Sequence, residues 1–457
     1  MRGRPLSEIA AVVGGTLLGT DVRVGGVVTD SRDVRSGDLY VALLGEHVNG
    51  HDFVVDAFGR GAAAAMVSRD GHDERPVIVV DNTGGALMTL AADARERMDA
   101  KVLGITGSTG KTSVKDLTAA VLAPRYRVTA SPRSFNTEVG VPLTLLAAAE
   151  DTEVVVCEMG SRGRGHISRL TDVARPQIGV VTNVGPAHLE MFGSLEAVAE
   201  AKAELVEALP KDGTAVLNAD DPVVRDFDRR TRARTLLYGT GPDAEVRGEE
   251  LTLDRDGRAS FTLRTPDGSE RVELAVSGEH MAWNALAACG GGVALGLSAG
   301  ECAAALKEAR VSPWRMEVFE TEDGLRVLND AYNANPTSMA AALKAARWMA
   351  GDGRCIAVLG EMAELGTISG EEHERVGELL ARLGIDRLIT VGDAAKRISV
   401  GAVREGVEPD RVTATESVDE ALDTVRSVTR GGDLVLVKAS RRAGLERLAE
   451  ALRGNEA

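Results

Sequence analysis

Lys111, Thr112, Glu158, His188 and Lys202 are the residues of this sequence whose types and surroundings point most directly to chemistry. Lys111 and Thr112 belong to the string Thr106-Gly107-Ser108-Thr109-Gly110-Lys111-Thr112-Ser113, which follows an apolar run from Val102. Glycines let backbone N–H groups curl around phosphate oxygens, and a helix that follows adds the positive end of its dipole. The lysine then neutralises β/γ-phosphate charge and the adjacent hydroxyl can ligate Mg²⁺. Ile105 stands where the strict G-x-x-x-x-G-K-[ST] pattern has its first glycine, so the string is the variant T-G-x-x-G-K-T.

Glu158 and His188 each lie shortly after an apolar run, at 154–157 and 178–182. In a parallel sheet those strand ends open on the same edge as the phosphate loop, which lets both side chains face a metal. Taken singly, the glutamate reads equally as a capping or solvated acid and the histidine as a satisfied or exposed one. Octahedral Mg²⁺ suits the carboxylate better than the imidazole.

Lys202 is placed against the pattern of its own helix. Ser194 opens that helix, Leu195, Val198, Leu205, Val206 and Leu209 form an apolar stripe, and Glu196, Glu200, Glu204 and Glu207 share the opposite face. Lys202 falls within the apolar stripe, so it either snorkels outward along its stem or is kept for its nitrogen. Two further clusters follow apolar runs. One is the polar stretch 329–338, in which Pro336 starts a helix; it reads as a capped turn or a ligand site. The other is Lys438-Ala439-Ser440-Arg441-Arg442, an anion-reading loop or a solvated basic patch.

The elements that must position these residues form three α/β units. From 22 to 100, short β-type runs (22–28, 39–43, 63–67, 77–80) alternate with Gly- and Asp-rich turns and a helix near 52–59, preceded by an amphipathic helix over 9–19. From 102, near-continuous apolar strands (102–106, 154–157, 178–182, 215–217) alternate with helices, which predicts a mostly parallel sheet covered on both faces. Asp256-Gly257 and Asp267-Gly268 predict hairpins at its edge. Strands at 355–359, 388–391, 412–414 and 434–437 then alternate with helices beginning near Pro336, Ser369, Ala394, Ser417 and Gly444. The expected domains are 1–99, 100–312 and 313–457, with the last boundary at Ser312-Pro313.

Composition narrows the function classes. The 457 residues carry 53 Lys and Arg against 69 Asp and Glu, a net charge of −16, which argues against a surface that binds duplex nucleic acid by counterion release. Aromatic residues make up 3%, too few for a base-stacking platform. Four cysteines lie far apart without a C-x-x-C pair, as expected of reduced thiols in a cytoplasmic enzyme. Residues 281–300 are uncharged, but Asn284 and five glycines there favour a buried helix followed by a Gly-rich turn over a membrane span.

Taken in order along the chain, these strings resemble the Mur ligase family of peptidoglycan synthesis. The resemblance covers essentially the whole chain. It includes Thr29-Asp30-Ser31-Arg32, the phosphate loop, Asn136-Thr137-Glu138, Glu158, His188-Leu189-Glu190, Ala201-Lys202-Ala203-Glu204, Asn284, Arg315, Asp330, Tyr332-Asn333-Ala334-Asn335-Pro336 and Gly360-Glu361-Met362-Ala363-Glu364-Leu365-Gly366. His166, Glu361 and Ala439 depart from the family's usual residues.

The resemblance implies a uridine-nucleotide-binding first domain, a central P-loop ATPase domain and a Rossmann-like third domain that closes on ATP. It implies ATP and Mg²⁺ as cofactors, with Thr106 to Ser113, Asn284, Arg315 and Asp330 on ATP. Thr112, Glu158, His188 and a carbamylated Lys202 are the metal ligands it implies, and Lys111, Glu158, His188 and Lys202 the catalytic groups. Ser31, Arg32, Asn136, Thr137, Tyr332, Asn333 and Asn335 are implied to hold substrate. The Y-N-A-N-P and G-E-M-A-E-L-G strings point to the branch that joins D-alanyl-D-alanine to UDP-N-acetylmuramoyl-tripeptide through an acyl phosphate, working as a monomer. The alternatives are a sister ligase, either tripeptide-forming or folylpolyglutamate-forming, and a nucleotide-switch binding protein.

Overall fold

The computed structural model describes residues 3–45, 48–69, 75–186 and 189–454. Its strands form three main sheets in chain order, as the alternating pattern predicts.

The first sheet runs Thr16–Leu18, Val77–Val79, Ala64–Val67, Leu39–Val41, Val27–Val28, parallel except for its first strand. The expected helix over 9–19 is Leu6–Val13, because Gly14 terminates it in the left-handed region at φ 66° and the chain then turns into a strand. The run 22–28 is likewise two short strands, Arg23–Val24 and Val27–Val28, separated by Gly25 and Gly26. A Cβ at Gly26 would meet the Asp38 carboxylate at 2.5 Å.

The central sheet has nine strands. Lys101–Thr106 lies between Val154–Glu158 and Ile178–Val181, all parallel, with Thr214–Asn218 and Arg234–Gly239 continuing outward. The hairpins at the two Asp-Gly turns extend the edge as Val246–Leu253, Arg258–Thr265 and Gly268–Ser277. Glu158 pairs with Ile105 and Val181 with Thr106, so the carboxyl ends of these strands lie level on one edge.

The buried helix expected after residue 280 is Met281–Ala294. Gly290, Gly291 and Gly292 lie inside it rather than in the turn that follows. Helix interiors disfavour glycine, but a Cβ at Gly290 would sit 2.5 Å from Val216 Cγ1 and one at Gly292 would sit 2.9 Å from Val121 Cγ1. The missing side chains let this helix lie close against the sheet and against the helix Lys111–Leu122. Among the described residues no helix is long and apolar enough to cross a membrane.

The third sheet runs Glu317–Glu320, Arg326–Asn329, Leu434–Lys438, Cys355–Leu359, Arg387–Val391, Val412–Thr415, parallel except for its first strand. Asp330, Lys438 and Gly360 mark its carboxyl edge. The apolar core does not divide at the sheets: one buried cluster joins Leu103, Val180 and Leu286 of the central unit to Leu328, Leu359 and Leu436 of the third. All four cysteines are buried free thiols.

Candidate active site

The carboxyl edges of the central and third sheets line one cleft of about 880 Å³. Gly110, at φ 79°, turns the chain into the helix Lys111–Leu122, and a Cβ there would meet Asn284 Oδ1 at 2.5 Å. Lys111 Nζ folds back to donate to the carbonyls of Gly107 (2.6 Å) and Ser108 (3.2 Å). Desolvation by the surrounding protein lowers its pKa.

Thr106 and Gly107 shape the loop without lining the cleft. Thr106 Oγ1 donates to the Met159 carbonyl at 2.8 Å, and at Gly107, φ 143°, a Cβ would fall 1.9 Å from Thr182 Oγ1. Ser108, Thr109, Thr112 and Ser113 line the cleft. Asn183 Oδ1 accepts from the Thr109 N–H at 3.0 Å, which fastens the loop to the next strand end.

Glu158 is 1% exposed at the end of its strand. Thr112 Oγ1 donates to Glu158 Oε2 and Asn136 Nδ2 to Glu158 Oε1, each at 2.8 Å. Ser134 Oγ lies 2.9 Å from Thr112 Oγ1. A buried carboxylate flanked by neutral hydroxyls and an amide fits a hard divalent cation. Among the described residues no group of three His, Cys, Asp or Glu forms a metal site, so such an ion would draw most of its oxygens from phosphate and water. His188 lies outside the described residues.

Lys202 is 2% exposed in the helix Leu195–Glu207, so its ammonium does not snorkel. Nζ donates to Ser161 Oγ at 2.8 Å, and burial followed by the charge of Lys111 pushes its pKa well down. Glu204, expected on the solvated face, instead accepts from the N–H groups of Gly165 (2.6 Å) and Ser168 (2.9 Å). It thereby ties this helix to the loop that carries Ser161. Leu195, expected in the apolar stripe, is exposed.

From the third sheet come Arg315, Asp330, Tyr332, Asn333 and Asn335, all on the same cleft. Arg315 Nη2 donates to Thr112 Oγ1 (2.8 Å) and Ser134 Oγ (3.2 Å), and its guanidinium lies 4.0 Å from the Tyr332 ring centre. Arg315 Nε is buried with no partner among the described residues, as a side chain awaiting an anion would be. Asn335 Oδ1 caps the helix Pro336–Ala350 by accepting from the Ser338 N–H.

Lys438 is fully buried and so is not part of a solvated basic patch. It donates to Asp330 Oδ2 at 2.5 Å and to the Asn333 carbonyl at 2.9 Å. Asn136, Thr137 and Asn284 also line the cleft. Ser31 and Arg32 do not; Arg32 pairs with Asp30 at 2.6 Å within the first unit. Sequence reasoning passed over Ser134 and Ser161, whose only sequence signal is proximity to Asn136 and Glu158.

Models of the Mur ligase catalytic domain, the Mur ligase middle domain and the Mur ligase glutamate ligase domain match residues 23–105, 105–291 and 314–441. The chain belongs to the Mur ligase family. It is 41% identical to the UDP-N-acetylmuramoyl-tripeptide--D-alanyl-D-alanine ligase of Mycobacterium tuberculosis, over 98% of this chain and 97% of that protein. The structure of MurF from Acinetobacter baumannii superposes with a TM-score of 0.88 at 29% identity, covering 99% of this chain and 100% of that one. MurF ligase from Thermotoga maritima in complex with ADP gives 0.81 at 28% identity, covering 94% and 97%.

Proposed function

We propose that this chain joins D-alanyl-D-alanine to the C-terminal carboxylate of UDP-N-acetylmuramoyl-tripeptide at the expense of ATP, giving UDP-N-acetylmuramoyl-pentapeptide, ADP and phosphate. The observation that carries the reading is the single cleft on which a phosphate loop and buried Glu158 face Arg315 and the Tyr332-Asn333-Ala334-Asn335 segment. Near-full-length identity to ligases of that name supports it.

In this reading the phosphate loop and the start of its helix hold the nucleotide phosphates, with Asn284 beside the base. Thr112 and Glu158 would hold Mg²⁺, together with His188 and, once carbamylated, Lys202. Mg²⁺ supplies charge neutralisation on the phosphates as the γ-phosphoryl group moves to the acceptor carboxylate. Lys111 and Arg315 place positive charge around the same phosphoryl oxygens. The acyl phosphate so formed is attacked by the dipeptide amine, which Asn333, Asn335 and Tyr332 orient. The third sheet covers the loop and excludes water from that mixed anhydride.

Ser31 and Arg32 belong to the uridine-nucleotide site of residues 1–99; residues 100–312 bind ATP and 313–457 receive the dipeptide. Every residue that lines the cleft comes from one chain, which supports a monomer. Buried free thiols support a cytoplasmic setting. The test is phosphate release from ATP and Mg²⁺ with the tripeptide substrate, with and without D-alanyl-D-alanine. Release that requires both, with a pentapeptide product by mass, is the expected result. Release indifferent to both returns the chain to a nucleotide switch.

A further inference from the structure

Four residues after Lys111, on the same helix, Lys115 and Asp116 form an ion pair at 2.7 Å that lies behind the cleft. Lys115 is 2% exposed, and its ammonium also donates to the carbonyls of Ser131 (2.8 Å) and Arg133 (2.9 Å). Those carbonyls begin the loop that brings Ser134 to Thr112 and Asn136 to Glu158. Arg133 has φ 49°, a left-handed conformation that a non-glycine residue keeps only where neighbours impose it.

Asp116 Oδ2 accepts from both the N–H and the hydroxyl of Ser312, each at 2.7 Å. Ser312 is where the chain passes into the third unit, three residues before Arg315. The residues flanking Arg315 are also left-handed, Trp314 at φ 61° and Met316 at φ 52°. Just before Arg315, Arg441 stacks 4.4 Å from the Trp314 ring centre, and beyond it the Met316 N–H donates to Asp330 Oδ1 at 3.1 Å. Arg315 therefore projects from a short stretch of constrained backbone pinned at both ends, and the upstream pin is Asp116.

We propose that Asp116 is a positioning residue of the ligase reaction. It anchors Ser312, and with it the constrained stretch from which Arg315 reaches the Thr112 hydroxyl. The inference rests on the ligase reading above and assigns Asp116 no contact with substrate. A side chain that acts only by placing Arg315 has no further effect once Arg315 is gone, whereas one that merely stabilises the fold acts in either background.

The test is a double-mutant cycle in the full chain with Asp116→Ala, Arg315→Ala and the double variant. It is read in kcat and in affinity for a non-hydrolysable ATP analogue, with thermal unfolding alongside. Asp116→Ala is expected to lower kcat about 10-fold or more, as a misplacement of about 1 Å does. The double variant is expected to lie within about 2-fold of Arg315→Ala. Multiplying losses in both readouts, or an unchanged Asp116→Ala, overturns the proposal. Should Asp116→Ala not fold, Ser312→Ala, which deletes one of the two hydrogen bonds, takes its place in the cycle with the same two outcomes. Wild-type turnover with both substrates reports separately on the ligase reading, and the binding cycle stands without it.

Discussion

The amine of Lys202 lies 2.8 Å from the Ser161 hydroxyl inside the protein, on a helix whose other buried residues are Val198, Ala201, Ala203, Leu205 and Val206. A lysine so enclosed is held toward its neutral form, and a neutral amine is the form that adds CO₂. Carbamylation would replace that buried amine by an anionic oxygen ligand.

Two consequences of Lys202 can be measured. Lys202→Met is expected to lower turnover at least about 100-fold, and depletion of bicarbonate is expected to slow the wild type reversibly without affecting the residual rate of the variant. Because burial depresses the folded-state pKa, the unfolded chain binds a proton that the folded chain refuses at every pH between the lowered value and 10.5. The buried amine thus costs stability below pH 10.5, increasingly as pH falls through that interval. In CO₂-free buffer the melting temperature of Lys202→Met should exceed that of the wild type at pH 7, and the gap should shrink as pH approaches 10.5. A gap that does not change with pH would contradict a desolvated amine.

His373 gives a second pH dependence, of the same sign. Its Nε2 accepts from the Met362 N–H at 2.9 Å, and its Nδ1 lies 2.6 Å from the Ser369 carbonyl, so the neutral tautomer fits both contacts. Burial lowers its pKa below 6.5, and burial does the same to His280 beside the cleft. Both contribute stability that is full above pH 6.5 and is lost as pH falls through their folded values. Unfolding temperature should therefore drop between pH 7 and pH 5, and His373→Gln should flatten part of that slope.

Glu158 and Gly110 separate metal from nucleotide. Glu158→Gln keeps the shape but removes the buried charge, and is expected to raise the Mg²⁺ concentration for half-activation about 10-fold or more while lowering kcat. Gly110→Ala puts a methyl group against Asn284 at a left-handed position, and is expected to raise KM for ATP with a smaller effect on the Mg²⁺ requirement. Steady-state titrations of each ligand at saturating levels of the other distinguish the two patterns.

Lys438 and Asp330 form a nearly dry ion pair, with side-chain exposures of 2% and 14%. Removing one partner leaves the other charge buried, so Lys438→Met should cost about 3–5 kcal/mol in denaturant unfolding. Lys438→Met with Asp330→Asn should recover part of that stability but not activity.

Much of this architecture is legible in the residues themselves. Apolar runs at 102–106, 154–157 and 178–182 become adjacent parallel strands because only two-sided burial suits them, and the phosphate string between strand and helix allows little else. Lys202 is legible by its conflict with its own helix. Ser134 and Ser161 were missed because a serine in a loop carries no periodic signal, and its partners at Thr112 and Lys202 are set by the register of distant strands. Lys438 was assigned to one of two readings only by the structure, since nothing local to it reveals that Asp330 lies 2.5 Å away. The glycines at 290–292 read as a turn from propensity alone, and close packing against Val216 and Val121 overrides that propensity.

The four buried cysteines have a practical consequence for testing whether the two halves of the cleft move. Burial pushes the thiols of Cys157 and Cys355 up to about 12, so at neutral pH neither offers a thiolate to a maleimide, and Cys289 and Cys302 are enclosed as well. Cysteines introduced at the exposed Asp151 and Asp419 would then take up a donor and an acceptor dye with the native thiols left in place. The natural sequence is in effect already a cysteine-silent background for single-molecule distance measurements across the cleft.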